Sequence, residues 1–148
     1  MHIADVTTIS TLSKKKKKKT SSSRFKRNKW ESTIEIKLST LDKINKKYGV
    51  PVFCKIDVEG FEAEVLGGLH HTIPFLSFEY CVPEMHQQLL NCSSIIHTLN
   101  AAYLFNYSIG ETMKLTNESW MSYDDFLKII QTDTFSQTLF GDVYCKLK

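Results

Sequence analysis

Two acidic residues lie at the end of the most apolar strand-like segment, in the run KIDVEGFE at residues 55–62. Because Asp57 has apolar neighbours, an unpaired carboxylate there would be costly, so it should face a cavity, a cation or a hydrogen-bond donor. Glu59 lies two residues further on and can point to the same side in strand geometry. Such a pair can bind a hard metal ion or hold a base beside a substrate hydroxyl. The spacing also allows both carboxylates to bond to backbone amides at the start of the next helix.

Patterns typical of strands and of helices alternate along the chain. The strands and helices that they predict must position these two side chains. Alternating or continuous apolar residues predict strands at 33–38, 51–58, 74–80 and 102–109, and a last strand after Gly141. Helical spacing predicts helices at about 40–48, 61–69, 83–100 and 122–130.

This order predicts an α/β fold in which a mostly parallel sheet of about five or six strands is covered on both faces. The continuous apolar run at 51–58 is typical of a strand buried on both faces, and it should lie next to 74–80 and parallel to it. Ligands bind beyond the carboxyl ends of such strands, which places the site at residues 57–60 and at Glu79 and Tyr80.

Several motifs occur in the order found in one methyltransferase family. The run at 55–62, followed by VLGGL at 65–69, is similar to the signature of FkbM-family methyltransferases. STLD at 39–42, Phe78-Glu79 and GDVY at 141–144 resemble further segments of that family. The resemblance covers roughly residues 31–148, and residues 8–13 also resemble the loop that precedes this region.

The resemblance implies a Rossmann-like methyltransferase sheet whose last strand is antiparallel. It implies methyl transfer from S-adenosylmethionine to a hydroxyl oxygen of a small molecule or glycan. Asp57 and Glu59 would be catalytic, and Asp57 and Glu79 would bind the cofactor. Lys55 should point away from the core or pair with a carboxylate. No metal-binding residues are assigned, and a role for a divalent metal stays open.

The glycines differ from the family pattern. A complete family member begins with a strand and a glycine-rich turn, whose glycines let the backbone approach the cofactor. Here the six glycines stand at 49, 60, 67, 68, 110 and 141, and none precedes position 49. We therefore expect a domain truncated on its N-terminal side. Its partner would be a separate N-terminal half, or a second copy bound through the exposed sheet edge.

Positive charge is concentrated in the first thirty residues, which include six consecutive lysines at 14–19. This composition predicts a disordered basic arm or loop remnant at 1–30, followed by the C-terminal part of a methyltransferase domain at 31–148. The alternative functions are a non-catalytic remnant and a binding module that uses this arm. A lysine block attracts phosphate, but no aromatic residues are interleaved with it, so a nucleic-acid partner is not expected.

Composition points to a cytoplasmic domain. The 148 residues are 42% hydrophobic and 24% charged, which suits one globular domain. The four cysteines lack the two-residue spacing of zinc or redox motifs, so we expect reduced thiols. No apolar run approaches the roughly 20 residues that a membrane helix needs, and the N-terminus lacks the apolar core of a signal peptide.

Overall fold

The computed structural model describes residues 2–4, 30–33 and 35–148. Strand β1 (His2–Ala4) pairs antiparallel with β2 (Trp30–Thr33), and the register shifts between Ile3 and Ala4. The lysine run at 14–19, with the predicted disordered arm around it, lies outside the described residues. The strand predicted at 33–38 is wrong for residues 35–38, which have no sheet neighbour among the described residues.

The other elements form the main body of the protein. In chain order they are α1 (Leu41–Tyr48), β3 (Phe53–Ile56), α2 (Glu62–Leu66), β4 (Phe75–Cys81), α3 (His86–Leu99), β5 (Tyr103–Tyr107), α4 (Tyr123–Ile130), α5 (Asp133–Ser136) and β6 (Phe140–Leu147). No helix within the described residues is both long and apolar enough to cross a membrane.

Four strands form an open mixed sheet in the order β3-β4-β6-β5. Strand β3 pairs parallel with β4, whereas β6 is antiparallel to both β4 and β5. The predicted parallel pairing of 51–58 with 74–80 and the antiparallel last strand are therefore confirmed. The main sheet has four strands in the described residues, rather than the expected five or six.

Local sequence explains where several helices begin and end. The Thr40 side chain accepts a hydrogen bond from the Lys43 amide at 3.3 Å, which satisfies one of the free amides at the start of α1. The Ser122 side chain likewise accepts a hydrogen bond from the Asp125 amide at 3.2 Å, which caps the start of α4. Helix α1 ends at Gly49, whose φ of 90° favours glycine.

The core lies between one face of the sheet and helices α2 to α5. The strand residues buried on this face are Ile56, Leu76, Phe78, Tyr80, Tyr103, Phe105, Tyr107, Val143 and Cys145. Phe105 stacks on Phe126 of α4 with a ring separation of 5.1 Å, and Tyr80 lies 5.0 Å from Phe135 of α5. Burial of these aromatic rings supplies much of the apolar area that stabilises the domain.

The opposite face is more open than predicted. Phe53 of β3 is 49% exposed and Phe75 of β4 is 39% exposed. In the described part of the chain, α2 to α5 share one core with a single face of the sheet, so the expected helical layer on both faces is not seen. The prediction that 51–58 is buried on both faces is wrong, because Phe53 and Lys55 on one face are exposed, and β3 is an edge strand among the described residues.

Candidate functional site

The turn after β3 is held by a buried carboxylate, that of Glu62, which was not among the predicted site residues. Glu62 is 2% exposed. Its Oε1 accepts hydrogen bonds from the Gly60 amide at 2.8 Å and the Val58 amide at 3.4 Å. Glu59 and Gly60 both have positive φ, of 56° and 90°. Two successive left-handed residues turn the chain sharply. The sequence spacing allowed Asp57 and Glu59 to bind the backbone amides at the start of the helix. In the structure, the carboxylate that binds the Val58 and Gly60 amides is that of Glu62.

Three carboxylates meet where β3 and β4 end. Ile56 lies opposite Phe78 in the parallel pairing, so the next residues, Asp57 and Glu79, come side by side. One carboxylate oxygen from each of Asp57, Glu59 and Glu79 lies within 4.8 Å of the other two. The structure therefore brings together the three acidic residues predicted from sequence. Their catalytic and cofactor-binding roles stay predictions.

This acidic cluster (Asp57, Glu59 and Glu79) can attract a positive group. Asp57 is exposed, and the other two side chains are partly buried. Carboxylate oxygens are preferred ligands of Mg²⁺ and Ca²⁺, so the three residues could hold a divalent ion. They could equally bind a cationic part of an organic ligand, because carboxylates accept charge-assisted hydrogen bonds.

A lysine and a fourth carboxylate complete the polar surface. Lys55 Nζ lies 3.0 and 2.9 Å from the two carboxylate oxygens of Asp142, and 3.9 Å from Asp57 Oδ2. Partial burial acts to lower the pKa of Lys55, but the hydrogen bonds and charge of Asp142, together with Asp57, outweigh it. The pKa therefore lies above its usual value. The expectation that Lys55 pairs with a carboxylate is confirmed.

The Lys55–Asp142 contact depends on the insertion of β6 beside β4. Asp142 lies opposite Glu79 in the antiparallel pairing, so Lys55 must extend across β4 to reach it. The GDVY run that contains Asp142 resembles a family segment, but nothing within the run indicates a role for this residue. Asp142 and Lys55 are 87 residues apart in the sequence, so no local sequence pattern indicates that they are in contact.

A cleft opens between these side chains and the loop after β5. Its lining includes Lys55, Asp57, Glu79, Glu111, Phe140 and Asp142. Behind it, Gly141 lets β6 approach β5 closely, since a Cβ there would lie 2.1 Å from the Ser108 carbonyl oxygen. The Tyr80 hydroxyl donates to this carbonyl at 3.1 Å, and burial raises the pKa of Tyr80 to about 12. The Tyr80 hydroxyl therefore stays uncharged at neutral pH.

Two of the recognised motifs pack against each other away from this cleft. Asp42 accepts a hydrogen bond from the His70 amide at 2.9 Å, and its other oxygen lies 2.7 Å from His70 Nδ1. These contacts, chiefly the amide bond, lower the pKa of Asp42. Gly68 packs on Thr40, where an added Cβ would lie 3.2 Å from the Thr40 Cβ. The STLD and VLGGL motifs therefore join α1 to the end of α2.

Comparison with known proteins decides the family. The family model of the methyltransferase FkbM domain matches residues 1–131. The chain belongs to the FkbM methyltransferase domain family. Searches of curated proteins and of solved structures found no significant match.

The FkbM match contains the acidic cluster but not every residue of the cleft. Asp57, Glu59 and Glu79 lie within residues 1–131, whereas Asp142 lies beyond them. The match also begins at residue 1, while the resemblance in the sequence was placed at 31–148.

Proposed function

We propose that this FkbM domain takes part in methyl transfer from S-adenosylmethionine to a hydroxyl oxygen of a small molecule or glycan. The observation that carries the proposal is the meeting of Asp57, Glu59 and Glu79 at the carboxyl ends of two parallel strands, in a member of this family. Parallel strands deliver ligand-binding groups to this edge of a sheet. The proposal implies that the four strands form part of a Rossmann-like methyltransferase sheet.

The residues of the cluster suit the chemistry. S-adenosylmethionine supplies a methyl group on a positively charged sulfur, and it also carries an ammonium group and ribose hydroxyls. Carboxylates complement both charges and can accept hydrogen bonds from the hydroxyls. The donor set at the cluster therefore fits the cofactor. Glu79 and Asp57 would bind it, as the resemblance implies.

A carboxylate of the cluster would also act as the general base that removes the proton of the acceptor hydroxyl. Asp57 or Glu59 would accept a hydrogen bond from the acceptor hydroxyl and take its proton as the oxygen bonds to the methyl carbon. The bond between the methyl carbon and the sulfur would break in the same step, with S-adenosylhomocysteine as the leaving group. Orientation matters as much as basicity, because the reacting atoms must lie about 3–3.5 Å apart and in line. The positive charge of Lys55 offsets part of the negative charge of the cluster. The ion pair with Asp142 holds the Lys55 ammonium group in place.

Cofactor binding by this chain should be weak. Residues 1–48 contain no glycine, so the close backbone approach that a glycine-rich turn permits is not available from them. We propose that residues 31–148 act as the C-terminal part of the domain, beside a basic arm at 1–30. The glycine-rich turn that would complete the cofactor site lies outside these residues.

Nuclear magnetic resonance titration with S-adenosylmethionine tests the binding site. We expect a dissociation constant in the millimolar range, which corresponds to a binding free energy of only about 4 kcal/mol. Amide shifts should be concentrated at residues 57–60 and 79–81. Glu79→Gln should weaken the response, whereas Asp124→Asn, an exposed acid on α4, should not. Micromolar binding would contradict the expected weakness. Shifts confined to other surfaces, or none at roughly 10 mM ligand, would contradict the site.

Complementation tests the reaction. The N-terminal half of an intact relative, expressed separately, should raise cofactor affinity and allow methyl transfer when mixed with this chain. In that mixture, Asp57→Asn should reduce the transfer rate by at least about tenfold, typical of a lost general base. Its unfolding midpoint should change little. Equal losses of rate and stability would instead identify Asp57 as a structural residue.

A further inference from the structure

The loop after β5 and the start of β6 form one wall of the cleft, made of residues 108–111 and 140–142. Ser108 N donates a hydrogen bond to Asp142 O at 2.9 Å, and Gly110 N donates to Phe140 O at 2.8 Å. These bonds continue the β5–β6 pairing beyond Tyr107, so the backbone itself holds the wall in place. The wall lies on the β6 side of β4, away from the outer edge of β3.

Negative charge dominates the cleft. Four carboxylates line it, those of Asp57, Glu79, Glu111 and Asp142, together with the ammonium group of Lys55. Four negative charges and one positive charge give a formal net charge of −3. The Lys55 ammonium already bonds both oxygens of Asp142. S-adenosylmethionine brings only one net positive charge, since its sulfonium and ammonium groups are offset in part by its own carboxylate. The cleft therefore attracts a cationic acceptor and repels an anionic one.

Phe140 presents an aromatic ring to the same cleft. It is the first residue of β6, and 39% of it is exposed. A Cβ on Gly110 would lie 3.8 Å from the Phe140 Cζ, so the ring packs beside the glycine. Leu139 has a φ of 68°, and its carbonyl accepts a hydrogen bond from Val82 N at 2.8 Å, which fixes the turn before Phe140. An aromatic face attracts cationic groups and packs on apolar ring surfaces.

Ser108 supplies a hydrogen-bonding group on the cleft side of the sheet. It lies opposite Asp142 in the antiparallel pairing, and side chains directly opposite each other point to the same face. The residue is 1% exposed, and its Oγ has no hydrogen-bond partner in the described part of the chain. Buried hydroxyls are usually hydrogen-bonded. The unpaired Ser108 hydroxyl therefore indicates a polar ligand at the base of this wall.

We propose that the acceptor is a hydroxyl compound that also carries a protonated amine, as an amino sugar does. The Glu111 carboxylate binds the ammonium group, and the Phe140 ring packs against the body of the acceptor. The acceptor hydroxyl then lies toward the acidic cluster. This inference rests on the proposed function, because it names the acceptor class for the same site.

Nuclear magnetic resonance titration with three related sugars tests the acceptor class. Glucosamine, glucose and glucuronate share one ring and carry a positive charge, no charge and a negative charge. At matched ionic strength, glucosamine should bind at least about threefold more tightly than glucose, and glucuronate should bind most weakly, because exposed ion pairs contribute modestly. Amide shifts should be concentrated at residues 108–111 and 140–142. Equal binding of glucosamine and glucose, tighter binding of glucuronate, or no shifts with glucosamine at roughly 50 mM would overturn the proposal.

Variants of the wall test the two roles separately. Glu111→Gln should reduce the preference for glucosamine over glucose to less than about twofold, whereas Glu118→Gln, at another exposed glutamate of the loop before α4, should leave it unchanged. Phe140→Leu should weaken both sugars by a similar factor. Phe75→Leu, at an equally exposed phenylalanine on the opposite end of the sheet, should weaken neither. A preference that survives Glu111→Gln would overturn the assignment of the amine to this wall.

Failure of this inference is distinguishable from failure of the proposed function. The cofactor titration reports on residues 57–60 and 79–81, and the sugar titration reports on residues 108–111 and 140–142. Cofactor shifts without a preference for glucosamine would refute the acceptor class alone. A glucosamine preference that depends on Glu111, without cofactor shifts, would refute the cofactor site and leave the amine-binding wall in place.

Discussion

The buried carboxylate of Glu62 should determine the stability of the turn that carries the acidic cluster. Replacing Glu62 with alanine removes the acceptor of the Gly60 amide at 2.8 Å and of the Val58 amide at 3.4 Å. The Gly60 bond is buried, so its amide cannot regain a partner from bulk water without local opening. Glu62→Gln keeps an oxygen acceptor of nearly the same shape but loses the negative charge at the start of α2.

The magnitude follows from these contacts. A hydrogen bond to a charged group contributes about 1.5–3 kcal/mol, and an amide left unpaired in the interior adds a desolvation cost of similar size. The 3.4 Å bond adds less, because it is long. We therefore expect Glu62→Ala to lower the free energy of unfolding by about 2–4 kcal/mol, and Glu62→Gln by about half as much.

Urea denaturation followed by circular dichroism measures the effect. With a slope of about 2 kcal/mol per molar urea, in the middle of the usual range, Glu62→Ala should lower the midpoint by about 1–2 M. Glu64→Ala on the same helix is the matched control. Its side chain is exposed, so a change within about 0.5 kcal/mol is expected. If the two alanine variants lose equal stability, or if Gln is no better than Ala, the assignment of Glu62 as the stabilising acceptor is refuted.

Three further predictions concern other parts of the chain. Gly141→Ala should cost about 3 kcal/mol or more in thermal or chemical unfolding, because its Cβ would overlap the Ser108 carbonyl oxygen; a near-neutral effect would show that β6 can shift away from β5. The pKa of Asp42 is lowered in the folded state by its bonds to His70, so its contribution to stability is present at neutral pH and is lost as pH falls through the folded-state pKa. Asp42→Asn should therefore unfold at a lower temperature than wild type at pH 7, with the difference vanishing in strong acid; a constant difference would contradict this linkage. Deleting residues 14–19 should change the free energy of unfolding by less than about 1 kcal/mol in urea titrations, and a larger loss would show that the lysine run is structural.

Local patterns were sufficient to predict much of the secondary structure. Apolar runs located β3 and β4, and helical spacing located α4, because strand burial and helix periodicity are set by neighbouring residues. The same run at 55–62 also indicated the FkbM family, which the family match confirms, whereas the site role of Asp57 stays a prediction. Strand bounds were less accurate, since 51–58 shortened to Phe53–Ile56 and 33–38 did not form as predicted.

Long-range pairing determined the rest. Whether β3 lies inside the sheet or at its edge depends on which strands lie beside it, and its own apolar residues carry no information about that neighbour. The same applies to the Lys55–Asp142 ion pair, which exists because β6 inserts beside β4. Sequence alone specified the residue types and the local elements. Tertiary structure decided which side chains meet, because contacts between distant residues depend on the sheet order and register of the folded chain.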